Sequence, residues 1–192
     1  MKKIILASGS PRRKEILGRL GIPFEVVPSD FQEFIDPKIS PRELAEKLAI
    51  GKAKAVAFKY PDAIIIGADT VVALDGEAMG KPSTPEEAIA MLNRLSGKTH
   101  SVFTGFTVMS TKTGKSVSDV CESKVTFKTL SPAEIEKYVL SGEPMQMAGA
   151  YAIQSGAKDF VEKYEGDYNN IVGLPLVLVR NALKIFGIDV SR

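Results

Sequence analysis

The run Ala63-Ile64-Ile65-Ile66-Gly67-Ala68-Asp69-Thr70-Val71-Val72-Ala73 constrains this 192-residue chain more than any other stretch. Apolar, β-branched residues without alternation belong to a strand covered on both faces. Asp75-Gly76 after it predicts a hairpin turn. Around this strand the patterns alternate. Residues 3–7 read as a buried strand, 11–20 as a helix closed by Gly21, Phe24 to Val27 as a strand and Pro41 to Lys59 as a long helix. Pro85 to Leu95 reads as a helix, and 99–109 and 117–128 as antiparallel strands turning through Thr113-Gly114. Ser131-Pro132-Ala133-Glu134 has the capping-box pattern. Strand-like pieces lie at Tyr151–Gln154 and Asp159–Lys163, the stretch 143–149 reads as a loop, and a last helix runs from about Pro175 to Phe186. The prediction is one mixed α/β domain over 1–192, a twisted sheet with flanking helices.

Charge and cysteine usage exclude several functions. A net charge of +2 is too small for non-specific nucleic-acid binding, so any cationic site must be local. A single cysteine, Cys121, rules out an intrachain disulfide and a cysteine cluster for zinc, and reads as a half-buried structural thiol. The apolar run after Met1-Lys2-Lys3 is too short for a signal peptide, and no window is long enough to span a membrane. The expected location is cytoplasmic. Gly97-Lys98-Thr99 and Gly114-Lys115-Ser116 imitate the end of a P-loop, but Leu92 and Met109 stand where its first glycine belongs. Both read as turns. His100 is the only histidine and reads as structural.

Polar residues interrupt apolar patterns at several places, and such breaks concentrate at functional sites. Ile4-Ile5-Leu6-Ala7-Ser8-Gly9-Ser10-Pro11-Arg12-Arg13 is a strand, a small-residue turn and a helix that begins with two arginines. Ser10 suits the N-cap and Pro11 the first helical position. Cations oppose the dipole there, so Arg12 and Arg13 either stand in solvent or hold a phosphate between them. Asp69 lies inside the apolar run, where an unpaired charge costs several kcal/mol, so it needs a cation, a metal or a raised pKa. Gly67 and Ala68 beside it suit close approach of a ligand. Lys52 falls on the apolar row Leu44, Leu48, Lys52, Val56, and either snorkels to solvent or serves a site. Glu33 sits in an acidic stretch near Phe31, Phe34 and Ile35, and Lys81 in Gly80-Lys81-Pro82; a solvated loop and an ordinary turn lysine are the plain alternatives. Four cations and two carboxylates together suit a nucleoside triphosphate with Mg²⁺ or Mn²⁺.

These stretches resemble the Maf family of nucleoside triphosphate pyrophosphatases, first named for an effect on septum formation. The matching segments are Leu6 to Arg13, Gly67 to Val72, Gly80-Lys81-Pro82, Leu95 to His100, Ala148 to Gln154 and Val172 to Leu176. The resemblance implies two lobes around a cleft, a fold like other house-cleaning nucleotide pyrophosphatases, a divalent metal and often a homodimer. It implies hydrolysis of the α–β phosphoanhydride bond, with Asp69 as proton acceptor. Arg12, Thr70 and Gln154 match positions associated with substrate choice, and this combination is similar to the dTTP/UTP branch rather than the 7-methyl-GTP branch. On this reading Ser8, Gly9, Ser10, Arg12 and Arg13, with Lys52 and Lys81, cradle the triphosphate. Asp69 and Glu33 hold the metal, either carboxylate being a candidate base.

One departure stands out. Glu143-Pro144-Met145-Gln146-Met147 occupies a loop that in the family usually reads Glu-Pro-x-Asp-Lys, and Ser155-Gly156-Ala157-Lys158 alters the glycine-rich continuation. The altered loop motivates two alternatives: a nucleotide-binding regulator of cell division with little turnover, and a 7-methyl-GTP pyrophosphatase. A nucleic-acid or membrane partner is not expected.

Overall fold

The computed structural model describes residues 2–33 and 38–190. Its sheet is built from β1 (Lys3–Leu6), β2 (Glu25–Val26), β3 (Ala63–Leu74), β4 (Glu77–Met79), β5 (Thr99–Ser110), β6 (Ser116–Phe127) and β7 (Val161–Glu165). The order is β2-β1-β3-β5-β6-β7, with β4 folded back on β3. β1 runs parallel to β2 and β3, and the remaining pairs are antiparallel. This is the predicted mixed α/β sheet with flanking helices.

The helices are α1 (Pro11–Gly18), α2 (Pro41–Ala57), α3 (Pro85–Leu95), α4 (Pro132–Leu140), α5 (Tyr168–Val172) and α6 (Leu176–Ile185). Four of them begin alike. Ser10, Ser40, Thr84 and Ser131 each accept from the backbone N–H three residues on, and proline follows each cap. The side chain fills an orphan donor, while proline loses an N–H that has no partner there.

Alternation along β3 sorts the interior into two. Ile64, Ile66, Ala68, Val72 and Leu74 face the main core, which extends to α3, α4 and α6. Ala63, Ile65 and Val71 face α2. Helix α2 lies very close to the sheet because Gly67 and Gly105 carry no side chain beneath it. A Cβ on Gly67 would stand 2.8 Å from Ala53, and one on Gly105 2.8 Å from the Glu46 nitrogen. The space beside Asp69 that the sequence reserves for a ligand is thus filled at Gly67 by the helix itself.

Three other expectations change. Tyr151–Gln154 forms a turn rather than a strand: its apolar residues pack inward, and the Ala152 N–H goes to the Tyr138 hydroxyl instead of a ladder partner. The stretch 143–150 is not featureless but forms two short 3₁₀ turns, and β7 begins at Val161. Helix α5 was not expected. Phe34 and Ile35, invoked around Glu33, lie outside the described residues. Cys121 is half-buried as expected, with its thiol pushed up chiefly by burial. Among the described residues no helix is long and apolar enough to cross a membrane.

Candidate active site

The site begins where β1 ends. Its pairing with β3 stops at Leu6 opposite Ile66, and β4 joins β3 only at Val72. Between those points one edge of β3 lacks a strand neighbour and faces the turn Ser8-Gly9-Ser10 and the N-terminus of α1. Crevices beyond the carboxyl ends of parallel strands are favoured ligand sites. A cleft of about 770 Å³ opens here, a size suited to a small ligand.

Asp69 lies on the cleft wall on the α2 side of β3 and is 8% exposed. Lys52 reaches it from α2, and the same Nζ lies 2.7 Å from Oε1 of Glu33. One ammonium therefore bridges two carboxylates, and the lysine turns inward rather than snorkelling to solvent. Burial alone would push the Glu33 carboxyl up; the hydrogen bond and charge of Lys52, with Lys81 and Arg13, outweigh it and hold the group below its ordinary value.

The arginine pair divides. Arg13 is buried. Its Nε donates to the Gly173 carbonyl at 2.8 Å, Nη1 to Ser8 Oγ at 3.3 Å and Nη2 to Thr70 Oγ1 at 3.1 Å, with Asp69 Oδ1 3.7 Å from Nη2. Burial pulls this guanidinium below its ordinary value and Asp69 opposes the shift, but it remains a cation at neutral pH. Arg12 lines the cleft and is partly exposed. The sequence carried the distinction: Arg13 shares a helical face with Ile16, Leu17 and Leu20, whereas Arg12 does not.

Thr70 faces the opposite side of β3 from Asp69. Its hydroxyl meets Arg13 and lies 2.9 Å from Thr104 Oγ1. Thr104 donates through its hydroxyl to the Asn170 carbonyl and through its N–H to Asn170 Oδ1. Thr70 is therefore part of a buried polar network that orients Arg13. Sequence reasoning missed Thr104, Asn170 and Gly173 in this network; the signals were a threonine in an apolar strand and a glycine, held at φ 126°, beside the Arg13 hydrogen bond.

Ser8, Gly9 and Ser10 line the same cleft as Asp69, Lys81 stands exposed on its rim after β4, and Gln154 is exposed at the far end. All eleven residues singled out from sequence thus border one cleft. Among the described residues no group of three or more histidine, cysteine or acidic side chains gathers as a metal cage. Two carboxylates lining one cleft still fit a hard cation, since Mg²⁺ commonly takes one or two carboxylates, water and the substrate's own phosphates.

The far end is held differently. Glu143 accepts from Tyr138 Oη at 3.1 Å, from the Gly156 N–H at 3.2 Å and from Ser155 Oγ. Behind it Tyr138, Phe160, Phe127, Tyr151 and His100 stack edge to face. His100 Nε2 is 2.7 Å from Tyr151 Oη, and burial pulls the imidazole down to about 4. It is structural, as the sequence suggests.

The sequence matches the family described as Maf-like protein over residues 3–186. Among curated relatives, a dTTP/UTP pyrophosphatase of Moorella thermoacetica is 47% identical over 190 residues, covering 99% of this chain and 98% of the relative. One of Bacillus cereus is 48% identical over 192 residues, covering 100% of both. A third, of Dictyoglomus turgidum, is 50% identical over 187 residues, covering 97% of both.

Proposed function

This chain belongs to the Maf-like family, and on that premise we propose that it hydrolyses nucleoside triphosphates, dTTP and UTP foremost, to the monophosphate and pyrophosphate. The carrying observation is the Lys52 bridge between Asp69 and Glu33 on the wall of a cleft that the Ser8–Ser10 turn and the start of α1 also line. Full-length likeness to dTTP/UTP pyrophosphatases supports the substrate class.

In this reading the triphosphate lies along the cleft. The Ser8–Ser10 turn, Arg12 and Lys81 take its phosphate oxygens, and the far end near Gln154 takes the base, whose edge a glutamine amide both donates to and accepts from. Asp69 accepts the proton of a water that attacks the α-phosphorus, and the α–β bridging oxygen leaves with pyrophosphate. Asp69 suits the proton better than Glu33 because it is more enclosed and fixed on a strand. Arg13, locked by Ser8, Thr70 and Gly173, supplies a fixed positive charge near Asp69. Lys52 balances both carboxylates when the cleft is empty and is within reach of phosphate when it is filled. Charge stabilisation on the leaving pyrophosphate is the main electrostatic task. Asp69 and Glu33 would hold a divalent cation, which neutralises phosphate charge when bound.

A product assay that separates pyrophosphate from orthophosphate tests the proposal, run on dTTP, UTP, 7-methyl-GTP and the purine triphosphates with Mg²⁺ or Mn²⁺. Pyrophosphate with faster turnover of dTTP and UTP is expected. Orthophosphate as the product, or binding without turnover over hours, would sink it.

A further inference from the structure

Glycine is a poor choice for the middle of a long helix, where it exposes backbone and loses conformational freedom on folding. Gly51 nevertheless sits well inside α2, one residue before Lys52. The sheet does not require it, unlike Gly67 and Gly105, which meet helix backbone. The neighbour of Gly51 is a side chain: a Cβ there would stand 2.6 and 2.7 Å from Cε2 and Cε1 of the Phe31 ring. Phe31 is 37% exposed and does not line the cleft. Its ring rests on the bare backbone of α2, and two residues later Glu33 reaches Lys52.

We propose that Phe31 seated on Gly51 is a latch that sets Glu33 against Lys52, making Phe31 a positioning residue for the reaction; this rests on the reading of the cleft given above. Among the described residues, little else fixes the segment 29–33. The Phe31 N–H donates to Ser29 Oγ within the segment, and Asp30 pairs with Lys59 at 3.5 Å on the surface. An exposed pair of that kind holds a segment weakly. An aromatic ring dropped into a side-chain-free seat gives it a single resting place, from which Glu33 meets the lysine that also holds Asp69.

Gly51→Ala separates this role from a structural one. Alanine is the better helix former, so the melting temperature should hold or rise. The methyl group meets the free end of a ring, so the ring is displaced rather than the helix. Activity toward UTP should then fall roughly tenfold in kcat/KM, the scale of a displaced positioning group. Phe31→Ala should lose a similar factor, the double variant no more than either single one, and Phe31→Tyr should keep the parent rate. In a Glu33→Gln background, Gly51→Ala should have no further effect. Parent kinetics in Gly51→Ala, or additive losses with Glu33→Gln, would overturn the proposal.

The chain has no tryptophan, which gives a readout independent of turnover. Phe31→Trp introduces a single reporter, whose emission should move to longer wavelength when Gly51→Ala is added. Identical spectra would remove the latch. Should the parent protein release no pyrophosphate from any triphosphate, the functional reading falls, and the emission comparison still decides whether the seat exists.

Discussion

At one end of the cleft, Asp69 is carried by β3, Lys52 by α2 and Arg13 by α1, and each charge is paired or hydrogen-bonded to a neighbour on a different element. At the other end, Met147, Ala152 and Gln154 ride on short turns whose cohesion comes from one carboxylate, Glu143, and a stack of aromatic rings. The first end keeps its geometry because helices and strands fix their side chains to within small displacements. The second has few backbone ladders, so its shape depends on side-chain bonds. On the proposed function, reaction chemistry suits the first construction, and adjustment to different bases suits the second.

Four measurements test this contrast. Asp69→Asn should lower kcat between about a hundredfold and ten-thousandfold in a pyrophosphate-release assay with little change in KM, if Asp69 is the proton acceptor we propose. A loss confined to KM would move the chemistry elsewhere. Acid should act on the opposite end. The His100 imidazole is depressed to about 4 in the folded protein, so the unfolded chain binds more protons between that value and the ordinary 6.5. Its contribution is present in full above pH 6.5 and is lost as pH falls toward 4, about 3 kcal/mol in all. Urea midpoints across that range should show the slope, and His100→Phe should flatten it.

Gly105→Ala should destabilise by about 2 kcal/mol, because its methyl group meets the backbone of α2 rather than a movable side chain. Denaturant unfolding checks this, and the contrast with Gly51→Ala is the informative part. Smallest is Glu143→Ala: KM for UTP should rise roughly fivefold with kcat kept within about twofold, as expected for loosened ground-state binding. Loss of kcat instead would mean that the turns participate in the chemical step.

The same contrast governs what was legible beforehand. Asp69 and Lys52 were visible because each interrupts an apolar pattern of known period, and an interruption on a regular element points to a definite place. Arg13 was visible but undivided from Arg12 until its row with Ile16, Leu17 and Leu20 is considered. The turns were not legible. Tyr151-Ala152-Ile153 is apolar enough for a strand, but it buries its residues without a ladder. α5 is five residues long and packs by a fully buried Asn170, whose bonds to Val102, Ser123 and Thr104 leave no hydrophobic period to read. Gly67 was noticed for the wrong visitor. A missing side chain announces that something comes close, and only the fold says that the visitor is α2.

Two bare positions under one helix have a mechanical consequence. With Ala45 and Ala49 seated over Gly105 and Gly67, α2 is keyed at two separated points, so it can neither slide along its axis nor roll without driving backbone into backbone. The backbone that carries Lys52 is therefore held at a fixed height over the strand that carries Asp69. Helix α2 is thus a fixed anvil against which the rest of the cleft is assembled.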